Sequence, residues 1–258
     1  MTTTTHAPVP EEEEAARAPP AGAPYVRGGA GRPKRATSAA SAPSRRAAGL
    51  AFAPTRMDIP RMPPLHRTTK RLVIRPLEAG DFGVWRAAHA GLPPPRNRWD
   101  RGRRSPDELS RARFREVLSS QRRLRREDRF YSLGVFERAS GTLVGGASLM
   151  DVMRGLAQSA FLGWSVHSPF WRRGYGKEAV RALIDIGFRD VGLHRLEAGI
   201  EPENRRSILL ARSLGLRKEG LKRRAVFLRD RWVDLGIYAV TCEDVGLRWK
   251  GDAKPHPR

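Results

Sequence analysis

The stretch of this chain that decides its fold is SPFWRRGYGKE, residues 168–178. It follows an apolar, strand-like segment and leads into Ala179, Leu183, Ile186 and Gly187, which recur with the period of a helix. A glycine turn at a helix N-terminus directs backbone N–H groups towards an anion, and the helix dipole adds positive charge there. The stretch therefore predicts a strand, a glycine turn and a helix with the character of a phosphate site.

Two familiar phosphate motifs do not fit these residues. A Walker A loop needs a serine or threonine after Gly176-Lys177, and Glu178 stands there. A dinucleotide-binding Gly-x-Gly-x-x-Gly motif fails because residue 179 is alanine. On their own, the two glycines of the turn are equally typical of an ordinary connection between a strand and a helix.

Composition limits the class of protein. The 258 residues include 49 lysines and arginines against 27 acidic residues, a net charge of +22. Because the arginines are scattered along the chain, this charge allows an anionic partner such as nucleic acid without specifying one. Cys242 is the single cysteine, which excludes an intrachain disulfide or a thiolate metal cluster and predicts a cytoplasmic protein. No window is apolar enough to span a bilayer, so we expect no membrane association.

Three regions are predicted along the chain. Residues 1–65 are rich in alanine, proline and arginine, which predicts a disordered tail, or a tail that results from a wrongly assigned start codon before Met57 or Met62. Residues 66–246 hold the folded domain. Residues 247–258 are predicted to form a basic flexible tail.

Hydrophobic periodicity and turn residues predict the order β-α-α-βββ-α-β-α-ββ around one mixed sheet. The predicted strands are 71–75, 130–136, 142–149, 159–166, 195–201, 225–228 and 232–240. Ser105-Pro106-Asp107-Glu108 combines an N-cap, a proline at the first helical position and a capping-box glutamate, so the second helix is predicted to begin near Pro106. The last helix is predicted over 202–214, ending at Gly215.

Several motifs occur in a characteristic order. They are Arg154-Gly155, Leu162-Gly163-Trp164, the run from Trp171 to Ala179, Gly192-Leu193-His194-Arg195, the run from Pro202 to Ser207, Gly215-Leu216 and Glu219-Gly220. Together they resemble the GNAT superfamily of N-acetyltransferases, specifically its RimJ/RimL-type ribosomal-protein acetyltransferases, over about residues 70–245. The resemblance implies the α/β (α+β) GNAT fold, with a mostly antiparallel sheet of about six to seven strands, splayed at the centre and flanked by about four helices.

The same resemblance implies acetyl-CoA as cosubstrate and no metal. In such proteins the glycine turn wraps the CoA pyrophosphate with backbone amides; here Arg172 stands where many relatives have a glycine. The strand Leu162–Val166 is expected to splay from Leu196–Ile200 and to pair with the pantetheine arm, while an amide near Trp164 polarises the thioester carbonyl. The implied cofactor-binding residues are Trp164, Ser165, Val166, Arg172, Arg173, Gly174, Tyr175, Gly176, Lys177, Asn204 and Ser207.

Candidate proton-transfer residues follow from the same comparison. Many relatives carry a tyrosine on the helix after the asparagine, and Ala211 stands at that place. Ser207 is therefore the candidate proton donor to the leaving thiolate. Glu219 is the candidate base, with Glu197 and Glu201 as alternatives.

Three further residues have open interpretations. Asn204 is either the residue that contacts pantetheine or only a helix cap. His194 is expected to serve packing in a loop, whereas His167 lies nearer the site but has no partner visible in the sequence.

The implied activity is acetyl transfer to a primary amine by direct attack, with a protein N-terminal α-amine, such as that of a ribosomal protein, as the favoured acceptor. A small amine (antibiotic, polyamine or amino acid) and a non-catalytic CoA-binding or nucleic-acid-binding module are the alternatives. Residues 96–129 carry thirteen arginines against six acidic residues, which suits an acidic peptide or ribosomal RNA, although an arginine-biased solvated helix has the same composition. A monomer or homodimer is expected.

Overall fold

The computed structural model describes residues 65–249, so most of the predicted tails 1–65 and 247–258, namely residues 1–64 and 250–258, lies outside the described residues. One eight-stranded sheet is the centre of this region. Its strands are β1 Arg67–Thr68, β2 Leu72–Arg75, β3 Tyr131–Glu137, β4 Leu143–Met153, β5 Ser159–Val166, β6 Arg195–Ile200, β7 Arg217–Leu228 and β8 Arg231–Thr241. The α-helices are α1 Phe82–Ala90, α2 Arg111–Arg126, α3 Tyr175–Asp185 and α4 Arg205–Ser213.

The sheet has the order β1-β2-β3-β4-β5-β6-β8-β7 and is antiparallel except between β5 and β6. The parallel ladder is short, running only from Ser159↔Arg195 to Phe161↔Glu197. Beyond Phe161 the two strands are no longer paired, which leaves a gap that opens towards their C-terminal ends. The predicted splayed GNAT sheet is thus confirmed, with eight strands rather than six or seven because the two-residue β1 extends one edge.

Helices cover both faces of the sheet. On the α3 face, α3 and α4 pack over the larger core, in which Leu72, Leu183 and Leu196 are fully buried. On the α1 face, α1 and α2 pack over a second cluster that includes Trp85 and Phe114. Burying each of these large side chains contributes about 1.5–3 kcal/mol to the stability of the fold. The packed cores on the two faces therefore stabilise the sheet even though β5 and β6 are unpaired beyond Phe161.

Strand alternation assigns residues near the gap to one face or the other. Leu196, Ala198 and Ile200 of β6 belong to the core on the α3 face. Because successive side chains of a strand point to opposite faces, Glu197 and Gly199 face α1 and α2 instead.

The predicted start of α2 near Pro106 is wrong. The capping box at that place forms, but it closes only the short 3-10 turn Asp107–Leu109. Ser110 then adopts an extended conformation and caps the helix proper, which begins at Arg111. A second serine N-cap, five residues after the first, decides the boundary.

Other boundaries also differ from the predicted ones. β7 begins at Arg217 rather than at residue 225, because pairing with β8 draws the preceding basic run into the sheet despite its low strand propensity. The domain extends slightly past its predicted limits of 66–246: Leu65 is buried, and Leu247 and Trp249 pack against the core. Within residues 65–249, none of the helices has the length and apolar content that a bilayer crossing requires.

Candidate active site

The turn before α3 presents a set of backbone donors. Gly174 is the N-cap of α3 with φ of 77°, and the first backbone bond of the helix runs from the Glu178 amide to the Gly174 carbonyl at 3.2 Å. Among the described residues, none accepts a hydrogen bond from the amides of residues 172–177. We call these six amides the cradle. They lie at the positive end of the α3 dipole, where an anion is stabilised.

Two residues show that the cradle has the backbone of a glycine turn. Arg172 has φ of 63°, the left-handed conformation that a glycine adopts without strain. A Cβ atom on Gly176 would lie 3.0 Å from the Leu210 side chain and 3.6 Å from that of Val166. The cradle is therefore packed closely between β5 and α4, which leaves little room for a side chain at residue 176. Its backbone amides are the groups that can donate to a phosphate.

The start of β2 holds the cradle in place. Arg71 donates from its guanidinium to the Arg173 carbonyl at 2.6 Å and to the Glu178 carboxylate at 2.8 Å. Burial alone would raise the pKa of Glu178, but hydrogen bonds from Thr69 and Arg71 hold it below its usual value. Sequence reasoning missed this role of Glu178, because its partners lie about a hundred residues earlier in the chain.

Side chains around the cradle add positive charge. Arg172 and Lys177 are exposed, and the indole of Trp171 has the guanidinium groups of Arg206 and Arg96 at 4.8 and 5.9 Å from its ring centroid. Tyr175, in contrast, is buried and donates its hydroxyl to Glu137, so only its backbone amide belongs to the cradle.

The gap between β5 and β6 exposes further backbone groups. The His167 amide donates to the Val144 carbonyl at 2.8 Å, towards β4. Since amides alternate in direction along a strand, those of Val166 and Trp164 face the gap, where no strand pairs with them. The Ser165 amide points back to β4, so the backbone of Ser165, unlike that of its two neighbours, does not line the gap.

The start of α4 borders the gap on the α3 face. Asn204 is the N-cap, and its side-chain oxygen accepts a hydrogen bond from the Ser207 amide at 3.2 Å. The capping interpretation of Asn204 is thus observed, and its side-chain NH2 group remains a possible donor to a ligand. Ser207 is half-buried, and within residues 65–249 its hydroxyl makes no hydrogen bond. Ala211 is fully buried in the core.

A buried carboxylate closes the other side of the gap. Glu201, immediately after β6, is 6% exposed and accepts hydrogen bonds from the Trp99 indole at 2.9 Å and from Arg229. Arg98 and Arg231 lie 3.4 and 4.0 Å from its second oxygen. We call these five residues the Glu201 hub. Burial would raise the pKa of Glu201, but hydrogen bonds from Arg229 and Trp99 lower it, so the hub carboxylate is ionised.

Two histidines meet on the α1 face beside the end of β5. The rings of His89 and His167 are in edge contact with centroids 5.3 Å apart. Burial lowers the pKa of each to about 4, helped by the nearby positive charge of Arg104. Nδ1 of His89 donates to the Trp85 carbonyl at 2.8 Å. The sequence did not reveal this ring contact between His167 and His89, and Nδ1 of His167 has no hydrogen-bond partner in the described region.

Glu219 lies at the opposite end of the β5–β6 interface. It pairs with Arg195, which also contacts Glu197 at 2.8 Å, and this hydrogen bonding lowers the pKa of Glu219. Arg195 is at the first pair of the parallel ladder, where β5 and β6 are closed together. Glu219 stays a prediction as the base, but its position does not favour that role. His194 pairs with Glu243 and contacts Trp249.

Comparison with known proteins identifies the family. A model described as an acetyltransferase (GNAT) domain matches residues 71–217, more than half of the chain. The chain therefore belongs to the GNAT acetyltransferase family and is an acyltransferase.

Relatives with similar sequences support this assignment. The chain is 32% identical over 130 residues to the probable N-acetyltransferase YjcK of Bacillus subtilis, covering 50% of this chain and 71% of that protein. It is 31% identical over 115 residues to the [ribosomal protein uS5]-alanine N-acetyltransferase of Escherichia coli, covering 45% and 59%. RimJ of Mycobacterium smegmatis in complex with CoA-disulfide shares the fold, with a TM-score of 0.57, 24% identity and coverage of 68% and 84%.

Proposed function

We propose that this protein transfers the acetyl group of acetyl-CoA to the N-terminal α-amine of a protein. The observation that carries the proposal is the position of the gap between β5 and β6 directly beside the cradle. Amides of residues 172–177 bind the pyrophosphate, and the backbone of Trp164 and Val166 pairs with the pantetheine arm. CoA then supplies an activated acetyl thioester within the gap.

The two faces of the sheet take different substrates in this proposal. The cradle and α4 lie on the α3 face, so the cosubstrate fills that mouth of the gap. The acceptor amine therefore approaches from the α1 face, past the Glu201 hub. As the amine nitrogen attacks the acetyl carbonyl, the gap-facing amide of Trp164 stabilises the charge on the carbonyl oxygen.

Ser207 is the proposed proton donor to the leaving thiolate. As the C–N bond forms and the C–S bond breaks, its hydroxyl regains the proton that the amine nitrogen loses, so one proton passes in net from the amine to the thiol of CoA. Its hydroxyl is on the first turn of α4, on the side of the cosubstrate. We expect Ser207→Ala to lower kcat about 10- to 100-fold while the Kd for CoA stays within about twofold. Glu219→Gln is the matched comparison, with kcat expected within about twofold of the parent because Arg195 holds Glu219 at the closed end. A large loss of kcat in Glu219→Gln with no loss in Ser207→Ala would contradict both expectations and favour Glu219 as the residue that transfers the proton.

A protein acceptor is favoured over a polyamine by charge. The acceptor mouth carries three guanidinium groups, of Arg98, Arg229 and Arg231, against the carboxylates of Glu201 and Glu203, and this excess of positive charge repels a polycation. The uS5-alanine acetyltransferase among the relatives also supports a protein N-terminus as acceptor, a ribosomal protein being one such substrate.

The test is thiol release from acetyl-CoA with peptides that begin with alanine or serine, measured beside spermidine and free amino acids. We expect turnover with the peptides and little with spermidine. Turnover confined to the small amines would contradict the acceptor class. An absence of thiol release with every amine would contradict the assigned reaction.

A further inference from the structure

The Glu201 hub joins three segments that are distant in sequence. Trp99 and Arg98 come from the connection between α1 and α2, Glu201 directly follows β6, Arg229 lies in the turn between β7 and β8, and Arg231 begins β8. Glu201 contacts Trp99 and Arg98, which belong to the connection between the two helices of the α1 face, so the hub lies on that face at the end of β6. The hub therefore forms the wall of the gap that an acceptor passes on that face.

Charge in the hub is not balanced. Glu201 and the exposed Glu203, which also pairs with Arg98 at 3.0 Å, supply two negative charges against three guanidinium groups. Oε2 of Glu201 is buried and has no hydrogen-bond partner in the described region, and it faces these guanidinium groups. Each guanidinium has five N–H donors, and only a few of the fifteen are used in these contacts.

The three arginines are also within reach of a ligand. Their side chains are 34% exposed for Arg98, 38% for Arg229 and 53% for Arg231, whereas that of Glu201 is 6% exposed. The guanidinium of Arg231 makes no hydrogen bond to any described residue; its contact with Glu201 is 4.0 Å long. The Glu201 carboxylate thus holds the three guanidinium groups on their buried side. The N–H donors that do not contact Glu201 face the acceptor mouth.

We propose that the Glu201 hub selects acceptors with a carboxylate close to the reacting amine, such as a peptide with aspartate or glutamate at its second or third residue. This inference rests on the proposed function. Two or three extended residues span about 7–10 Å, so such a carboxylate reaches the hub while the α-amine is in the gap. Planar guanidinium groups bind carboxylates through paired hydrogen bonds, which gives selectivity as well as affinity.

The experiment compares three peptides that differ only at the second residue: Ala-Asp, Ala-Asn and Ala-Lys, each followed by the same neutral sequence. We expect kcat/KM to be about tenfold higher for the aspartate peptide than for the asparagine peptide, and lowest for the lysine peptide, which corresponds to about 1.4 kcal/mol for the first step. Equal values for the three peptides would overturn the inference while leaving the proposed function intact.

Variants of the hub arginines test whether the hub causes the preference for the aspartate peptide. Arg231→Gln and Arg98→Gln are expected to reduce the aspartate preference to less than about threefold, with the KM for acetyl-CoA unchanged and thermal melting used to confirm folding. Arg223→Gln, at an exposed position of β7 outside the hub, is the matched control and is expected to keep the tenfold preference. A preference that survives in both hub variants would contradict the assignment to the hub. If all peptides are inert and small amines react, the proposed acceptor class fails instead.

Discussion

The two mouths of the gap are built in different ways. On the α3 face, the cradle consists of consecutive backbone amides from residues 172–177, held by one short segment. On the α1 face, the hub consists of side chains that three separate segments bring to Glu201. A site made of backbone requires a local sequence, glycines before a helix, while a site made of distant side chains requires the whole fold. The first is suited to a ligand that does not vary, and the second to an acceptor that can differ between relatives.

The largest expected effect comes from placing charge in the cradle. We expect Gly176→Asp to weaken CoA binding at least 100-fold, because a carboxylate would oppose the pyrophosphate at the end of the helix dipole, and calorimetric titration with CoA measures this.

Packing has to be separated from charge in that experiment. Gly176→Ala brings the same Cβ contact with Leu210 at 3.0 Å without the charge and is expected to bind CoA much more tightly than the aspartate variant. Gly83→Asp, where a Cβ meets open space on α1, is the control for adding a carboxylate elsewhere. Equal affinities for CoA in Gly176→Asp and the parent would show that the cradle does not bind CoA.

The second prediction concerns a variant that disrupts the acceptor mouth without changing the cradle. Glu201→Gln keeps a group that accepts from Trp99 but removes the charge that holds three arginines. We expect the free energy of unfolding to fall by about 1–2 kcal/mol, a value reduced for the solvent screening of the partly exposed arginines, and the KM for acceptor peptides to rise about 5- to 10-fold.

The informative comparison for Glu201→Gln is its CoA affinity. The Kd for CoA is expected to stay within about twofold of the parent, since the cradle consists of backbone amides and none of the five hub residues belongs to it. A parallel loss of CoA and acceptor binding would show that they are one site.

The third prediction concerns the pH dependence of stability. His89 and His167 have folded-state pKa values of about 4, below the 6.5 of an unfolded histidine, so the unfolded chain binds more protons between these values. Stability is therefore expected to fall as the pH drops from 7 to 5, by at most about 1.4 kcal/mol per pH unit for each histidine.

Denaturant titrations at several pH values test this dependence. The double variant His89→Gln/His167→Gln is expected to flatten the curve between pH 7 and 5, and His66→Gln, at an exposed position, is the control. This window lies above the range in which carboxylates with lowered pKa, such as Glu178 and Glu201, lose their contribution on protonation. An unchanged slope in the double variant would contradict the assignment.

The smallest expected effect is at Arg172. Its φ of 63° is a conformation that glycine adopts without strain, so Arg172→Gly is expected to stabilise the fold by about 0.5–1 kcal/mol in thermal or denaturant unfolding. CoA affinity should weaken by no more than about threefold, because the amide and not the side chain belongs to the cradle. A larger loss would show that the guanidinium itself holds a phosphate.

The same contrast explains how much of the structure could be predicted from sequence. The limits of β5 and the presence of a helix directly after a glycine turn follow from local patterns and agree with the structure, although Gly176, predicted to lie in the turn, belongs to the first turn of α3. The pairing of Glu219 with Arg195 does not, because it depends on β7 lying beside β8 along its full length.

The acceptor mouth was the least predictable part for the same reason. Contact between Trp99 and Glu201 joins residues 102 positions apart, and nothing in either local sequence marks it. The same holds for His89 and His167, which the packing of α1 against the sheet brings together. Local chemistry identifies the candidates, and long-range packing decides which of them act.

A crystal structure of the CoA complex tests most directly whether the gap and the cradle together hold CoA. We predict pyrophosphate oxygens within about 2.7–3.2 Å of amides among residues 172–177, and the pantetheine arm paired with the amides of Trp164 and Val166 between β5 and β6. CoA bound elsewhere on the protein, with these amides hydrogen-bonded only to solvent, would contradict it.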